Sequence, residues 1–208
     1  KSATSASPLR PGPDGVPAPD LMTLFLSAFV TLFVVIDPPG CAPIFAGLTS
    51  GATAAQARAM ALRACLIAGL ILVLFALFGE QLLGALHIEL NSFRIAGGIM
   101  LFLIALEMVF EKRTRRREER AEKIRATPEV EDVSVFPLAI PMLAGPGSIA
   151  TIMLLMSRAQ GTAATLVILA SLAAVMVLSL LALLAAGPLM RLIGAQAEAV
   201  ITRLLGVL

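Results

Sequence analysis

Residues 34–45 read "VVIDPPGCAPIF". The stretch lies inside an apolar run that begins at Leu21, yet it carries a carboxylate, three prolines and a glycine where a membrane helix would carry leucines. Pro38 and Pro39 each remove an amide donor and clash with the preceding turn, so a helix arriving from Leu21 is predicted to end near Ile36. A break of this kind is tolerated at membrane depth only where protein or a wet cavity satisfies the freed backbone. The sequence thus predicts two half-helices meeting tip to tip. The incoming one presents carbonyls and partial negative charge, and the outgoing one presents amides and partial positive charge.

Composition supports a membrane setting. Of 208 residues, 58% are hydrophobic and 14% charged, with a mean hydropathy of +0.93. A soluble domain carries about 25% charged residues. The apolar residues come in blocks rather than at helical period, which marks an integral membrane protein. Tryptophan and tyrosine are absent, so phenylalanine and arginine must anchor the span ends. Cys41 and Cys65 both lie in apolar segments and read as small buried thiols rather than a disulfide. With His87 as the single histidine and no Cys-x-x-Cys pair, no soft-metal site is expected, and no cofactor or nucleic-acid partner.

Residues 1–20, rich in proline and without aromatics, are expected to be a disordered tail. Apolar segments follow at about 21–48, 59–79 and 93–110, forming a first transmembrane repeat over 21–110. A polar linker covers 111–133, and a second repeat covers 134–208. The second repeat holds segments at 134–157, interrupted at Gly145-Pro146-Gly147, at 162–186, and from about Ala195 to the last residue. That last segment is shorter than the roughly 20 residues a span needs, so it reads as a sixth helix cut short. Eight of the sixteen Lys and Arg residues fall between Lys112 and Arg125. With the N-terminus outside, these eight join Arg58, Arg63, Arg191 and Arg203 on the inner side, leaving Lys1, Arg10, Arg94 and Arg158 outside. The bias predicts a multi-pass protein of the inner (plasma) membrane with a cytoplasmic linker, which reads as a solvated helical extension with Glu–Arg pairs.

The prolines also disclose a repeat. When residue 37 is laid on residue 144, "DPPGCAPIFAGLTS" falls on "AGPGSIATIMLLMS". Pro39 then meets Pro146, Gly40 meets Gly147, Cys41 meets Ser148 and Ser50 meets Ser157. After a two-residue slip, "FRIAGGI" meets "TRLLGVL", placing Arg94 on Arg203. Three spans per unit flip the second unit relative to the first. The expected fold is an all-α membrane protein of six transmembrane helices in two inverted three-helix repeats, with the first helix of each repeat broken.

Broken helices in corresponding places of two such halves point to a binding site near the bilayer midplane. The candidate site is Asp37, Pro38, Pro39, Gly40 and Cys41 from the first break, with Ala144, Gly145, Pro146, Gly147 and Ser148 from the second. A zwitterion suits them. Asp37 favours an ammonium, whereas the 144–148 turn carries no acid and leaves its amides for a carboxylate. Nothing at either break offers an ionic partner to a charged side chain, so a small neutral amino acid fits best. The plain alternative for Asp37 is an N-cap on the Gly40 amide with proline at the first helical position. An acidic group at the centre of a span costs about 2.5–3.5 kcal/mol on insertion scales, so it must be compensated, and capping supplies part of that. Elsewhere the plain readings prevail: Glu80 and Glu89 solvated, Glu107 in an interfacial ion pair, Arg94 and Arg203 snorkelling, His87 in a loop, and Gly97-Gly98 permitting close packing.

The stretches "LFVVIDPPGCAPIFAGLT", "FRIAGGIMLFLIALEMVF" and "PLAIPMLAGPGSIATIMLLMS" together resemble the MarC family of bacterial and archaeal integral membrane proteins, over about Leu21 to Leu208. The resemblance implies six helices in two inverted repeats and, as for some family members, transport of small neutral amino acids. The family's Asp-or-Asn, Pro, any residue, Gly pattern falls on Asp37, Pro38, Pro39 and Gly40, and the second break matches at Ala144, Gly145, Pro146 and Gly147. The departure is the short sixth segment. The expectation is a secondary carrier for glycine- or alanine-like solutes, with proton or sodium coupling compatible with Asp37 and half-helix carbonyls. The alternatives are an exporter or channel for other small solutes, or a non-transport membrane protein. An enzyme is not expected, because the apolar spans offer Asp37 no second catalytic group.

Overall fold

Helix α1 (Leu21–Ile36) stops where the prolines require, and α2 (Pro38–Leu48) starts after a single intervening residue, Asp37. The computed structural model describes residues 20–109 and 132–207, with the backbone alone described at 90, 104, 107–109 and 188–207. Residues 1–19 and 110–131, which hold most of the expected tail (1–20) and linker (111–133), lie outside the described residues, as do the side chains of Glu107 and Arg203. Although broken, α1 and α2 together run as one apolar span, Leu21–Leu48. Helix α3 (Ala54–Ala85) opens with a capping box: the Gln56 amide donates to the Thr53 hydroxyl, and the Gln56 side chain accepts from the Thr53 amide at 2.9 Å. Helix α4 covers Leu90–Val109.

The next segment, Ser134–Leu143, departs from the helix expected there. Phe136 (φ −128°, ψ 126°) and Ile140 (φ −126°, ψ 124°) are extended, and each precedes a cis-proline, Pro137 and Pro141. Residues before proline are pushed out of the helical region, so the segment winds in wide turns, closed by bonds such as the Leu138 amide to Val133 O at 3.3 Å, with a step at each extended residue. Helix α5 (Pro146–Met156) follows, bent by 51° from the stepped segment. Helix α6 then runs from Gly161 to Val207 without the loop expected between a fifth and a sixth span. Forty-seven residues extend about 70 Å at 1.5 Å per residue, more than twice a hydrocarbon core of about 30 Å. Its apolar part is Gly161–Gly187. The described helices therefore supply three membrane-length spans, or four if the bent pair counts as one. The separate sixth span is not among them, because the Gly187-Pro188 pair and the residues after it do not turn the chain.

The faces of α3 show how the bundle is held. Its buried side carries Ala61, Ala64, Cys65, Ala68, Ala76 and Gly79 beside Met60, Leu72 and Leu83, while its exposed side carries Leu62, Leu66, Leu70 and Leu74. A mostly small-residue face inward with leucines outward reverses the soluble pattern. Lipid tails are as apolar as leucine, so helices associate through close contact of small residues. At Gly97 of α4 a side chain would meet the Leu154 methyl at 2.8 Å, whereas nothing lies within 4 Å of the same point at Gly98. Close packing, as expected for this pair, therefore uses Gly97.

Packing between the halves is reciprocal. Helix α3 packs on the stepped segment and on α5, and α6 packs on α1 and α2. The two broken spans also lie side by side, α1 against α5 and α2 against the stepped segment. Ser171 of α6 crosses to α1, donating to the Phe25 carbonyl at 3.2 Å.

Candidate functional site

At the first break Asp37 adopts φ 58°, ψ 63°, a left-handed conformation that aspartate and asparagine tolerate better than other side chains. Its amide closes α1 onto Phe33 O at 2.9 Å, and its carbonyl accepts the Cys41 amide at 3.1 Å. Its carboxylate Oδ1 accepts the Gly40 amide at 3.1 Å. The capping role open to Asp37 from sequence is therefore occupied, with Pro38 at the first helical position. Gly40 makes room for it, since a Cβ there would run into the Asp37 carboxylate. The carbonyls of Val34 and Val35 lose their helical donors to Pro38 and Pro39. The Ile36 carbonyl takes the Cys41 thiol instead, at 3.7 Å. Asp37 and Gly40 are half-buried, Pro38 and Cys41 buried, and Pro39 exposed.

The second break is built without a charge. Ala144 (φ −94°, ψ 58°) ends the stepped segment by donating to Ala139 O at 2.9 Å. Gly145 is the N-cap of α5 and Pro146 its first residue, and no side chain caps it. A Cβ on Gly145 would collide with the Pro141 carbonyl oxygen, so the stepped segment and α5 fit together only around glycine. The first backbone amide bonded within α5 is that of Ile149, to Gly145 O at 3.0 Å. The Gly147 and Ser148 amides precede it at the positive end of the helix. Ala144, Gly145, Gly147 and Ser148 are buried and Pro146 is exposed.

Each sequence-predicted group of five is thus brought together locally, as a carboxylate-capped start of α2 and an uncapped start of α5. Ile36, Cys41, Leu143 and Ala144 also belong to one buried apolar cluster. Sequence reasoning missed the two extended steps, the thiol on Ile36 O, and the role of Arg94. The Arg94 guanidinium crosses from α4 to the end of α5, donating to the Ser157 carbonyl at 2.8 Å and to its hydroxyl at 3.4 Å. It is a C-cap supplied from another helix. The only signal available for it was the conjunction of an arginine opening one span and a serine closing another.

Apolar helices long enough to span a bilayer, with two of the spans broken at proline-glycine turns, define a polytopic helical membrane protein. The chain belongs to the MarC family of integral membrane proteins, whose profile matches residues 22–208. It is 34% identical over 188 residues to the UPF0056 membrane protein YvbG of Bacillus subtilis (strain 168), covering 90% of this chain and 89% of the relative. It is 32% identical to a UPF0056 membrane protein of Archaeoglobus fulgidus, covering 89% of this chain and 86% of the relative. Identity to the UPF0056 membrane protein YhcE of Escherichia coli (strain K12) is also 32%, with the same shares covered. No solved structure matches the chain.

Proposed function

We propose that the protein is a secondary transporter of small neutral amino acids such as glycine or alanine, working in the plasma membrane with its linker on the cytoplasmic side. Its substrate sits between the two breaks of an inverted repeat. The observation that carries this reading is the inequality of two similar helix starts. Both α2 and α5 are eleven residues long and open with proline. One start is neutralised by the Asp37 carboxylate, and the other has no side-chain cap. An ammonium goes to the first, a carboxylate to the second, and little else is required of the ligand. The reciprocal packing of α3 and α6 on each other's broken spans supports the repeat. A proton or sodium ion at Asp37 supplies coupling within the same site.

The test is uptake of labelled glycine and alanine into proteoliposomes under imposed proton or sodium gradients. Asp37→Asn keeps an N-cap of equal quality but removes the charge. Its flux is expected to fall to background while the protein stays folded. Wild-type flux in this variant would leave Asp37 with the capping role alone, a second reading that its bond to Gly40 favours.

A further inference from the structure

Away from both breaks, a cavity of about 200 Å³ opens where α3 and α5 end and α6 begins. It lies some ten residues up α5 from Pro146, about 15 Å at helical rise. Its polar lining comes from Glu80, Gln81, Ser157 and Thr165, and its floor includes Met153 and Met156. The donors in this lining are already engaged. The Ser157 hydroxyl donates to Leu154 O at 3.0 Å and the Thr165 hydroxyl to Gly161 O at 3.3 Å. In its satisfied orientation the Gln81 amide nitrogen donates to Leu77 O at 3.1 Å and Phe78 O at 3.2 Å. The Ser157 hydroxyl oxygen also accepts from Arg94 Nε at 3.4 Å. What remains toward the cavity are acceptors: the Gln81 carbonyl, the Thr165 hydroxyl oxygen, two thioethers and the Glu80 carboxylate. Glu80 has no ion-pair partner among the described residues.

Neighbouring donors do not fill the role. Arg94 lies outside the lining, with its nitrogens directed to Ser157 and Asn91. The first-turn residues of α6, 161–164, are not part of the lining either. A cavity with one negative charge, several acceptors and few donors suits a small ligand that is all donor. From this arrangement we infer a second binding site, distinct from the breaks, for a primary ammonium group. The ammonium hydrogens go to Glu80, the Gln81 carbonyl and the Thr165 hydroxyl oxygen, away from the Arg94 guanidinium on Ser157, and the aliphatic carbon beside it rests on the methionines. The volume admits a solute of a few heavy atoms, the space of several waters at about 30 Å³ each, or the head of an aminolipid reaching in from the span ends. The site stands on its own geometry, whether or not amino acids bind at the breaks.

Isothermal titration of the purified protein in phosphatidylglycerol nanodiscs tests it, with methylammonium and acetate as probes. Methylammonium is expected to bind saturably and acetate not to bind. Glu80→Gln should weaken methylammonium about tenfold, the worth of one charge-assisted contact. Gln81→Leu should weaken it less, and Glu89→Gln, at an exposed carboxylate outside the lining, should leave it unchanged. Equal binding of acetate, unchanged affinity in both Glu80→Gln and Gln81→Leu, or an equal loss in Glu89→Gln would each overturn the assignment. Repeating the titration in phosphatidylethanolamine nanodiscs separates the two sources of ammonium. A weaker apparent affinity there identifies the lipid headgroup as the occupant, and an equal one identifies a free solute.

Discussion

Asp37 does two things that a substitution can separate. It occupies a left-handed position and it caps Gly40. Asp37→Ala loses both, at about 0.5–2 kcal/mol for the cap and about 1–2 kcal/mol for the backbone. Asp37→Asn loses neither, so thermal melts by circular dichroism in detergent should place Asn near wild type and Ala well below. A milder case is Asp132, just before the stepped segment. The Ser134 hydroxyl beside it, then the Ser134 amide donating at 2.9 Å, then Arg63 hold its carboxyl below the ordinary 3.8. That hydroxyl is buried without meeting hydrogen-bond geometry, so the amide is the bond that counts. Arg63 reaches Asp132 at 2.8 Å, but the side chains are 62% and 44% exposed, so the pair stabilises by at most about 1 kcal/mol. Because the folded carboxyl is the stronger acid, its contribution is present above pH 3.8 and lost as pH falls through the lower folded value. Wild type and Asp132→Asn should differ equally at neutral and mildly acid pH, and converge only in strong acid. At this scale the sequence was most legible where chemistry is local: Asp-Pro-Pro-Gly spells a cap. It was least legible at Arg94, whose partner Ser157 is 63 residues away.

Among the elements, α3 and α4 show that packing here is decided by what is missing from a side chain. Gly97 faces Leu154 and Gly98 faces open space. Gly97→Leu should therefore destabilise by about 1–3 kcal/mol through overpacking, while Gly98→Leu should melt close to wild type in the same detergent. The buried face of α3 was not read from the sequence, because its alanines lie on both sides, Ala61, Ala64 and Ala68 buried but Ala54, Ala55 and Ala59 exposed, and no single helix names its neighbour. The stepped segment is the instructive failure. The rule that places a helix end before Pro38 also applies before Pro137 and Pro141, where Phe136 and Ile140 are extended. The apolar run 134–157 hid two breaks of its own, and only the one at 145–147, flagged by adjacent glycines, stood out.

For the molecule as a whole, the proposed orientation makes a direct prediction. Cys41 is fully buried and Cys65 is 7% exposed, so neither should react with a membrane-impermeant maleimide in intact cells. Against that silent background, a cysteine introduced in the 111–133 linker should label only after permeabilisation, and one in the first ten residues should label without it. The reverse pattern would invert the assignment of faces. Six spans were expected and the described helices provide three or four. The short apolar stretch after Ala195 resembled a span beginning, but a continuous helix from Gly161 to Val207 occupies it. The cross-clasp of α3 and α6 also bears on biogenesis. While the ribosome is still synthesising the linker, α3 sits in the lipid with its alanine face bare, and the first break lacks the helix that will later cover it. The amino-terminal half is therefore an assembly intermediate in need of shelter, and the two halves, made as separate polypeptides, would have to find each other before either was whole.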